Sequence, residues 1–267
     1  MNLDLENRTA LGTQIAKQAA DLAMKYYRDP SRLQTRHKGV QDQVSDGDIA
    51  VEKFIRGELQ KALPDDGLIG EEDTMISSAS GYTWVIDPID GTSNFVRGAP
   101  RWCVVLCLVD IDQSLIGIIH DPIAEETYVA VRGHGCTLNE APVQVSSSLS
   151  LADGSIGVGM SVRVPTDQVV STIERIANAD GLFYRSGSGA LDLAYVSNGR
   201  LSGFCEPHMN AWDCLAGMLL IEEAGGLVEK IDMSTMLKEG GRVIAACPGV
   251  YDQLHTICRD SFVSPVP

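Results

Sequence analysis

The chain has 267 residues, 44% of them hydrophobic and 21% charged, enough to bury a substantial core as one or two domains. Its formal charge of −15 excludes the basic footprint of a nucleic-acid binder, and no apolar run approaches the length of about 18 residues that would mark a membrane span. The start, Met-Asn-Leu-Asp-Leu-Glu, lacks a basic region before an apolar stretch, so no signal peptide is read and cytoplasmic residence is the default.

Leu11, Ile15, Ala19, Leu22 and Tyr26 recur at helical spacing, and Asp29-Pro30 ends the pattern. A second helix carries Val51, Ile55, Leu59 and Leu63, with Ser45 as its N-cap. Short strand-like runs follow: Leu68-Ile69, Tyr82 to Ile86, Trp102 to Val109, Leu115 to Ile119 and Glu126 to Val131. Asp110 to Ser114 reads as a hairpin connection, so part of this sheet is expected to be antiparallel. The small, polar Ser146 to Gly154 is the best boundary. It suggests an N-terminal α+β unit, 1–147, and a C-terminal α/β unit, 148–267. In the second unit strands at Ile156 to Met160, Leu182 to Arg185 and Leu201 to Cys205 alternate with helices at Thr166 to Ala179, Gly189 to Ser197 and Ala211 to Ala224. Strands Leu227 to Ile231 and Val243 to Ala246, then a helix near Tyr251, close the chain.

The seven cysteines, an odd number without C-x-x-C spacing, read as small buried hydrophobes in a reducing compartment. The five histidines show no metal-ligand pairing, which disfavours zinc. Ser186-Gly-Ser-Gly189 lacks the Lys-Ser/Thr of a nucleotide-binding phosphate loop.

The chemistry concentrates in Trp84-Val-Ile-Asp-Pro-Ile-Asp-Gly-Thr-Ser-Asn-Phe95. Two acids, Asp87 and Asp90, leave an apolar strand together. Holding them close is costly unless a positive charge lies between them. With the Ile89 carbonyl they form an all-oxygen donor set of the kind a hard cation takes. Gly91 and Thr92 open a short helix whose N–H groups suit an anion. Taken alone, Asp-Pro and Asp-Gly are also turn formers, and Asp213 is also a favourable helix-start residue.

This segment resembles the signature of the inositol monophosphatase family of metal-dependent sugar-phosphate phosphatases. Gly70-Glu71-Glu72 resembles the family's upstream acidic element. Ala211-Trp212-Asp213, with Ala216-Gly217 and Glu223-Ala-Gly-Gly226, resembles its downstream element. The order and spacing of the three elements favour the metal-binding reading over isolated turns. The resemblance implies an α-β-α-β-α layered sandwich of the inositol monophosphatase and fructose-1,6-bisphosphatase type, with the active site between the halves. It implies about two to three Mg²⁺ ions per site. Glu71, Asp87 and the Ile89 carbonyl would hold one, and Asp87, Asp90 and Asp213 a second. Glu71 would assist a third, weaker one. Thr92 would help activate the attacking water, oriented by Asp48, unless Asp48 is only a first-turn helix residue. Phosphate would rest on Gly91 and Thr92. Gly187 and Ser188 would lie near the sugar ring. Glu206 would contact a ring hydroxyl, unless it is an exposed glutamate at a strand end. Lys38 offers at most distant positive charge.

The function implied is in-line hydrolysis of small polyol or sugar monophosphates, foremost inositol monophosphate, with lithium sensitivity and a homodimer. Histidinol phosphate, fructose 1,6-bisphosphate, nucleotide 3′-phosphates and NADP are alternative substrates within the fold. A metal-binding regulatory protein with little turnover is the rival of another class.

Overall fold

The structure is a computed structural model that describes residues 3–29, 33, 35–39 and 42–262, with backbone only for 35–39 and 42–44. The Lys38 side chain and Pro30 lie outside the described residues.

Helix α1 (Leu3–Tyr27) begins eight residues before the apolar pattern becomes visible at Leu11. Its buried stripe of Ile15, Ala16, Ala19, Ala20 and Ala23 is narrow in side-chain volume, which lets α2 (Asp46–Ala62) pack closely through Val51, Ile55 and Leu59. Between them runs a hairpin, β1 (Thr35–Gly39) with β2 (Asp42–Ser45). The polar stretch from Thr35 to Ser45 carries no alternation that would announce it.

Seven strands build the first sheet in sequential order: β3 (Gly67–Gly70), β4 (Thr83–Asp90), β5 (Cys103–Val109), β6 (Ser114–Asp121), β7 (Glu126–Val131), β8 (Cys136–Leu138) and β9 (Ala141–Pro142). Only the β3–β4 pair is parallel. A short helix, α3 (Thr92–Val96), interrupts the path from β4 to β5. The second sheet is mixed. It collects β10 (Ser155–Val158), β11 (Leu182–Tyr184), β12 (Gly203–Met209), β13 (Leu227–Val228) and β14 (Gly241–Ala246) in the order β11-β10-β12-β14-β13. Its helices are α4 (Thr166–Asn178), α5 (Gly189–Ser197), α6 (Ala211–Glu223), α7 (Met233–Glu239) and α8 (Pro248–Ser261). The sequence did not announce α7, β8 or β9, which are short, and the strand expected from Leu227 to Ile231 is only Leu227–Val228.

The strand period of two assigns the layers. Trp84, Ile86, Val104, Leu106 and Leu108 point to α1 and α2. Val85, Val105 and Cys107 point the other way, into α5 and α6. From the second sheet Phe204, Val243 and Ala245 face the same two helices. Cys205, Ile244 and Ala246 face Val169 and Ile176 of α4 and Val250, Leu254 and Cys258 of α8. The central strands of both sheets are covered on both faces, which is why they read as continuous apolar runs. Every residue of α5 from Ala190 to Ser197 is buried, as befits a helix held between two sheets. The α-β-α-β-α sandwich expected from the resemblance is the one observed. The seven cysteines are free and buried, as small hydrophobes.

Two strands are longer than the sequence suggested. The run expected to end at Ile86 continues to Asp90, and the one expected to end at Cys205 is displaced to Gly203–Met209. Each carries a proline, Pro88 or Pro207, that reads as a breaker. Each sits where the ladder slips: between Asp87 and Asp90 against β5, and between Glu206 and Met209 against β14. Proline lacks the N–H a regular ladder needs, so an irregularity is where a strand tolerates it. In both cases the residue just before the proline is a carboxylate expected at the site.

Candidate active site

The parallel register that pairs Gly70 with Ile86 makes Glu71, just past the end of β3, a neighbour of Asp87 within β4. Asp87 shares the face of Val85, the face toward α6. Its Oδ1 accepts the Ile89 N–H at 3.0 Å across the irregularity. Asp90 closes β4. The Ala190 N–H donates to its Oδ2 at 3.0 Å, the Ser188 hydroxyl also donates to that oxygen, and the Cys103 thiol approaches it at 3.8 Å. Gly91 then turns the chain at φ +91°, where a Cβ would stand 2.8 Å from the Arg101 carbonyl oxygen. Only glycine meets both demands.

Asp213 arrives from the other half, in the first turn of α6. It accepts from the Asn210 N–H at 3.0 Å and the Asn210 side-chain amide at 3.1 Å, a capping box. Carboxylate oxygens of Asp87, Asp90 and Asp213 all lie within 4.8 Å of one another. Among the described residues no lysine or arginine bonds to any of the three. Burial, followed by the charges of Glu71, Asp90 and Asp213, pushes Asp87 well above the usual carboxylate range. Burial and then the Asp213 charge push Asp90 up to about 7. Burial also raises Asp213, against the opposing hydrogen bonds from Asn210. Three crowded carboxylates with oxygen donors only fit a hard divalent cation, which would supply the missing positive charge.

Beside this cluster the Thr92 hydroxyl stands 3.0 Å from Asp48 Oδ1 and 3.1 Å from the Ile89 carbonyl oxygen. Asp48 is fully buried and its second oxygen accepts from the Ser45 N–H at 2.8 Å. So the α2 capping box and the Thr92 contact use the same carboxylate. Burial raises Asp48, opposed by the Ser45 and Thr92 hydrogen bonds.

Glu206 lies inside β12, not at an exposed strand end. A Cβ on Gly159 of the neighbouring chain segment would fall 1.9 Å from its Oε2, so the carboxylate occupies room that only a glycine leaves. Burial, then Asp213 and Asp90, raise it well above the usual range. Gly187 and Ser188 line the same region, although the Ser188 hydroxyl is turned to Asp90. A cleft of about 910 Å³ brings together Glu71, Gly91, Thr92, Gly187, Glu206 and Asp213.

Sequence reasoning missed several supports. Arg163 and Arg185 line the cleft and bring the local positive charge that an acidic chain needs for an anion. Arg185 stands directly before Ser186-Gly187, a cation at a strand-to-helix turn. The loop carrying Glu71 is braced by Glu52, which accepts the Glu72 N–H at 2.8 Å and the Asp73 N–H at 3.1 Å. Arg56 pairs with Glu52 at 2.7 Å and donates to the Thr74 and Asp73 carbonyls at 3.0 Å each. Glu52 and Arg56 stand four residues apart on α2, and both are buried. Asn94 donates to the Arg101 carbonyl at 2.7 Å and the Ser186 carbonyl at 3.0 Å, tying the motif to the turn before α5.

Known proteins share this architecture. The model of the inositol monophosphatase family matches residues 4–261. The Nus factor SuhB of Haemophilus influenzae is 35% identical over 238 residues, 86% of this chain and 88% of that protein. The inositol-1-monophosphatase of Mesorhizobium japonicum is 35% identical over 242 residues, 87% of this chain and 88% of that protein. The crystal structure of extragenic suppressor protein suhB from Bartonella henselae matches with a TM-score of 0.85 at 32% identity, covering 95% of this chain and 97% of that one. With its acidic cluster at the junction of the layers and a family match along nearly its whole length, the chain belongs to the inositol monophosphatase family, a family of metal-dependent phosphatases.

Proposed function

We propose that the chain is a Mg²⁺-dependent phosphatase of small polyol monophosphates, with inositol monophosphate as its substrate. The observation that carries this reading is the close set of Asp87, Asp90 and Asp213, held together without a built-in cation beside the Thr92–Asp48 pair. Glu71, Asp87 and the Ile89 carbonyl would hold one Mg²⁺, and Asp87, Asp90 and Asp213 another, with Glu71 near a third. Bound Mg²⁺ would neutralise the phosphate oxygens, acidify a water and stabilise the departing alkoxide.

The chain's own groups do the positioning. Thr92 donates its proton to Asp48, which leaves its oxygen lone pairs free to accept from the attacking water. The Gly91 and Thr92 N–H groups hold a phosphate oxygen. Arg163 and Arg185 favour the dianion's approach. Glu206 and the Gly187-Ser188 turn receive the polyol. In this reading the carboxylates serve the cations, and none is a nucleophile, so water attacks directly. The resemblance also supports a homodimer, and the exposed Leu182 and Phe183 on the edge strand β11 are a surface that pairing would cover.

Phosphate release from a panel of esters, with and without Mg²⁺, tests the reading. Turnover of inositol monophosphate above histidinol phosphate, fructose 1,6-bisphosphate, nucleotide 3′-phosphates and NADP is expected. Absence of turnover on every ester at saturating Mg²⁺ would leave a metal-binding regulatory protein instead.

A further inference from the structure

Helix α2 carries two parallel lines of buried side chains. Val51, Ile55 and Leu59 form the apolar line that packs on α1. Asp48, Glu52 and Arg56 form a polar line beside it, at the same spacing of four residues. Asp48 meets Thr92 at the start of the polar line. The rest of the line meets the chain just past Glu71.

Glu52 and Arg56 are 1% and 5% exposed. The carboxylate accepts the Glu72 and Asp73 N–H groups, and the guanidinium donates to the Asp73 and Thr74 carbonyls. All four bonds go to backbone, so they fix the path of the chain whatever its side chains are. Gly70 lets the pair come this close: a Cβ there would strike Glu52 Oε1 and stand 2.8 Å from Arg56 Nη2. Every residue from Asp73 to Gly81 is exposed, so packing does not hold this loop. An unheld loop would have to be ordered by whatever Glu71 binds, at the expense of affinity. The Glu52 charge is matched by Arg56 at 2.7 Å, and neither side chain lines the cleft. The pair therefore acts on the site through the position of Glu71, which does line it.

We propose that Glu52 and Arg56 are positioning residues, a clasp that fixes Glu71 beside Asp87 before any cation arrives and so sets the affinity of the cation on the Glu71 side of the site. The inference rests on the reading of Glu71 as a metal ligand and adds two residues that touch neither cation nor substrate.

Glu52→Gln, with its amide oxygen toward Arg56 and Asp73, leaves the Glu72 N–H facing an amide NH₂. The full chain, stripped with chelator, is titrated with Mg²⁺ by calorimetry in the absence of substrate. One cation should bind about tenfold more weakly, the effect expected when a group that orients a metal ligand is lost. The Mg²⁺ concentration that half-saturates phosphate release should rise by the same factor, while kcat at saturating Mg²⁺ stays within about twofold of wild type. In a Glu71→Gln background the second substitution should weaken Mg²⁺ binding no further, because the clasp acts only through Glu71. Unchanged Mg²⁺ affinity, or the same loss repeated on top of Glu71→Gln, would overturn the clasp. Should Glu52→Gln fail to fold, amide hydrogen exchange of the wild-type chain in chelator decides. The Glu72 and Asp73 N–H groups should be protected without Mg²⁺. Exchange at the rate of a free peptide until Mg²⁺ is added would mean that the cation orders the loop, and the clasp falls. A wild-type chain that binds Mg²⁺ but releases phosphate from no ester refutes the phosphatase reading and leaves the clasp to the titration; one that binds no Mg²⁺ refutes both.

Discussion

Two groups of buried acids in this molecule are treated in opposite ways. Asp66, 3% exposed, is surrounded by donors: the Arg8 guanidinium, the Trp84 indole N–H at 3.1 Å and the Ser80 hydroxyl at 2.7 Å. Glu52 is likewise paired with Arg56 and two backbone N–H groups. Asp87 and Asp90 are also buried, Asp213 partly so, but these three face one another. Asp66 and Glu52 come with their counter-charge in the chain. The site carboxylates leave it to be supplied, and that deficit is what gives a cation its affinity and a phosphate its place to bind.

The sharpest way to break this contrast is Asp90→Asn. Removing one charge from a cluster whose task is charge neutralisation should lower turnover by roughly a hundred- to a thousandfold or more, with less effect on substrate affinity. Near-normal phosphate release at saturating Mg²⁺ would show that Asp90 is not a ligand.

Arg8→Met probes the other class. It strands Asp66 without its cation and should cost about 3–5 kcal/mol of stability. Urea denaturation measures it, and the loss should be the same with Mg²⁺ or with chelator. A loss that Mg²⁺ repairs would mean the two groups of acids are not separate in kind.

The pH dependence of the metal-free protein separates them further. Asp90 is pushed from 3.8 up to about 7 by burial and by Asp213. The folded state therefore holds this proton more tightly than the unfolded chain. Its contribution to stability is complete below about pH 3.8 and is lost as the pH rises through about 7. In chelator, the Asp90 contribution should lower stability between those limits, and added Mg²⁺ should offset most of the loss near pH 7. Comparing the wild type with Asp90→Asn reads Asp90 together with the acids its charge raises, Asp87 and Glu206; a difference between the two that does not change with pH would refute the assignment.

Glu206→Gln is the mildest test. Losing a charge-assisted hydrogen bond costs about 1.5–3 kcal/mol, so kcat/KM for inositol monophosphate should fall roughly ten- to a hundredfold. The loss on p-nitrophenyl phosphate, which lacks ring hydroxyls, should be clearly smaller. Equal losses would assign Glu206 to the fold or the metals, and a loss confined to histidinol phosphate would change the substrate.

Local chemistry made much of this legible in the sequence. The apolar run from Trp84 to Ile86, the helical stripe of α1 and the Ser45 cap are short-range patterns, and Asp87-Pro-Ile-Asp-Gly-Thr92 compresses acids, turn and helix start into one segment. What escaped was whatever depended on a distant partner. Glu52 and Arg56 went unremarked because sequence cannot show that the Glu72–Thr74 loop covers them. The strands run on through Pro88 and Pro207 because the neighbouring strand supplies the slip in register that accommodates each, which a single strand's sequence does not show. Arg185 gains its meaning from a cleft whose other walls lie on β12, on α6 and on the segment just after β10. The sequence by itself determined which residue types the chemistry requires and the period of each element. The tertiary structure decided which acids receive an arginine and which meet each other, because burial and distance set the cost of a charge and neither is a local property of the chain.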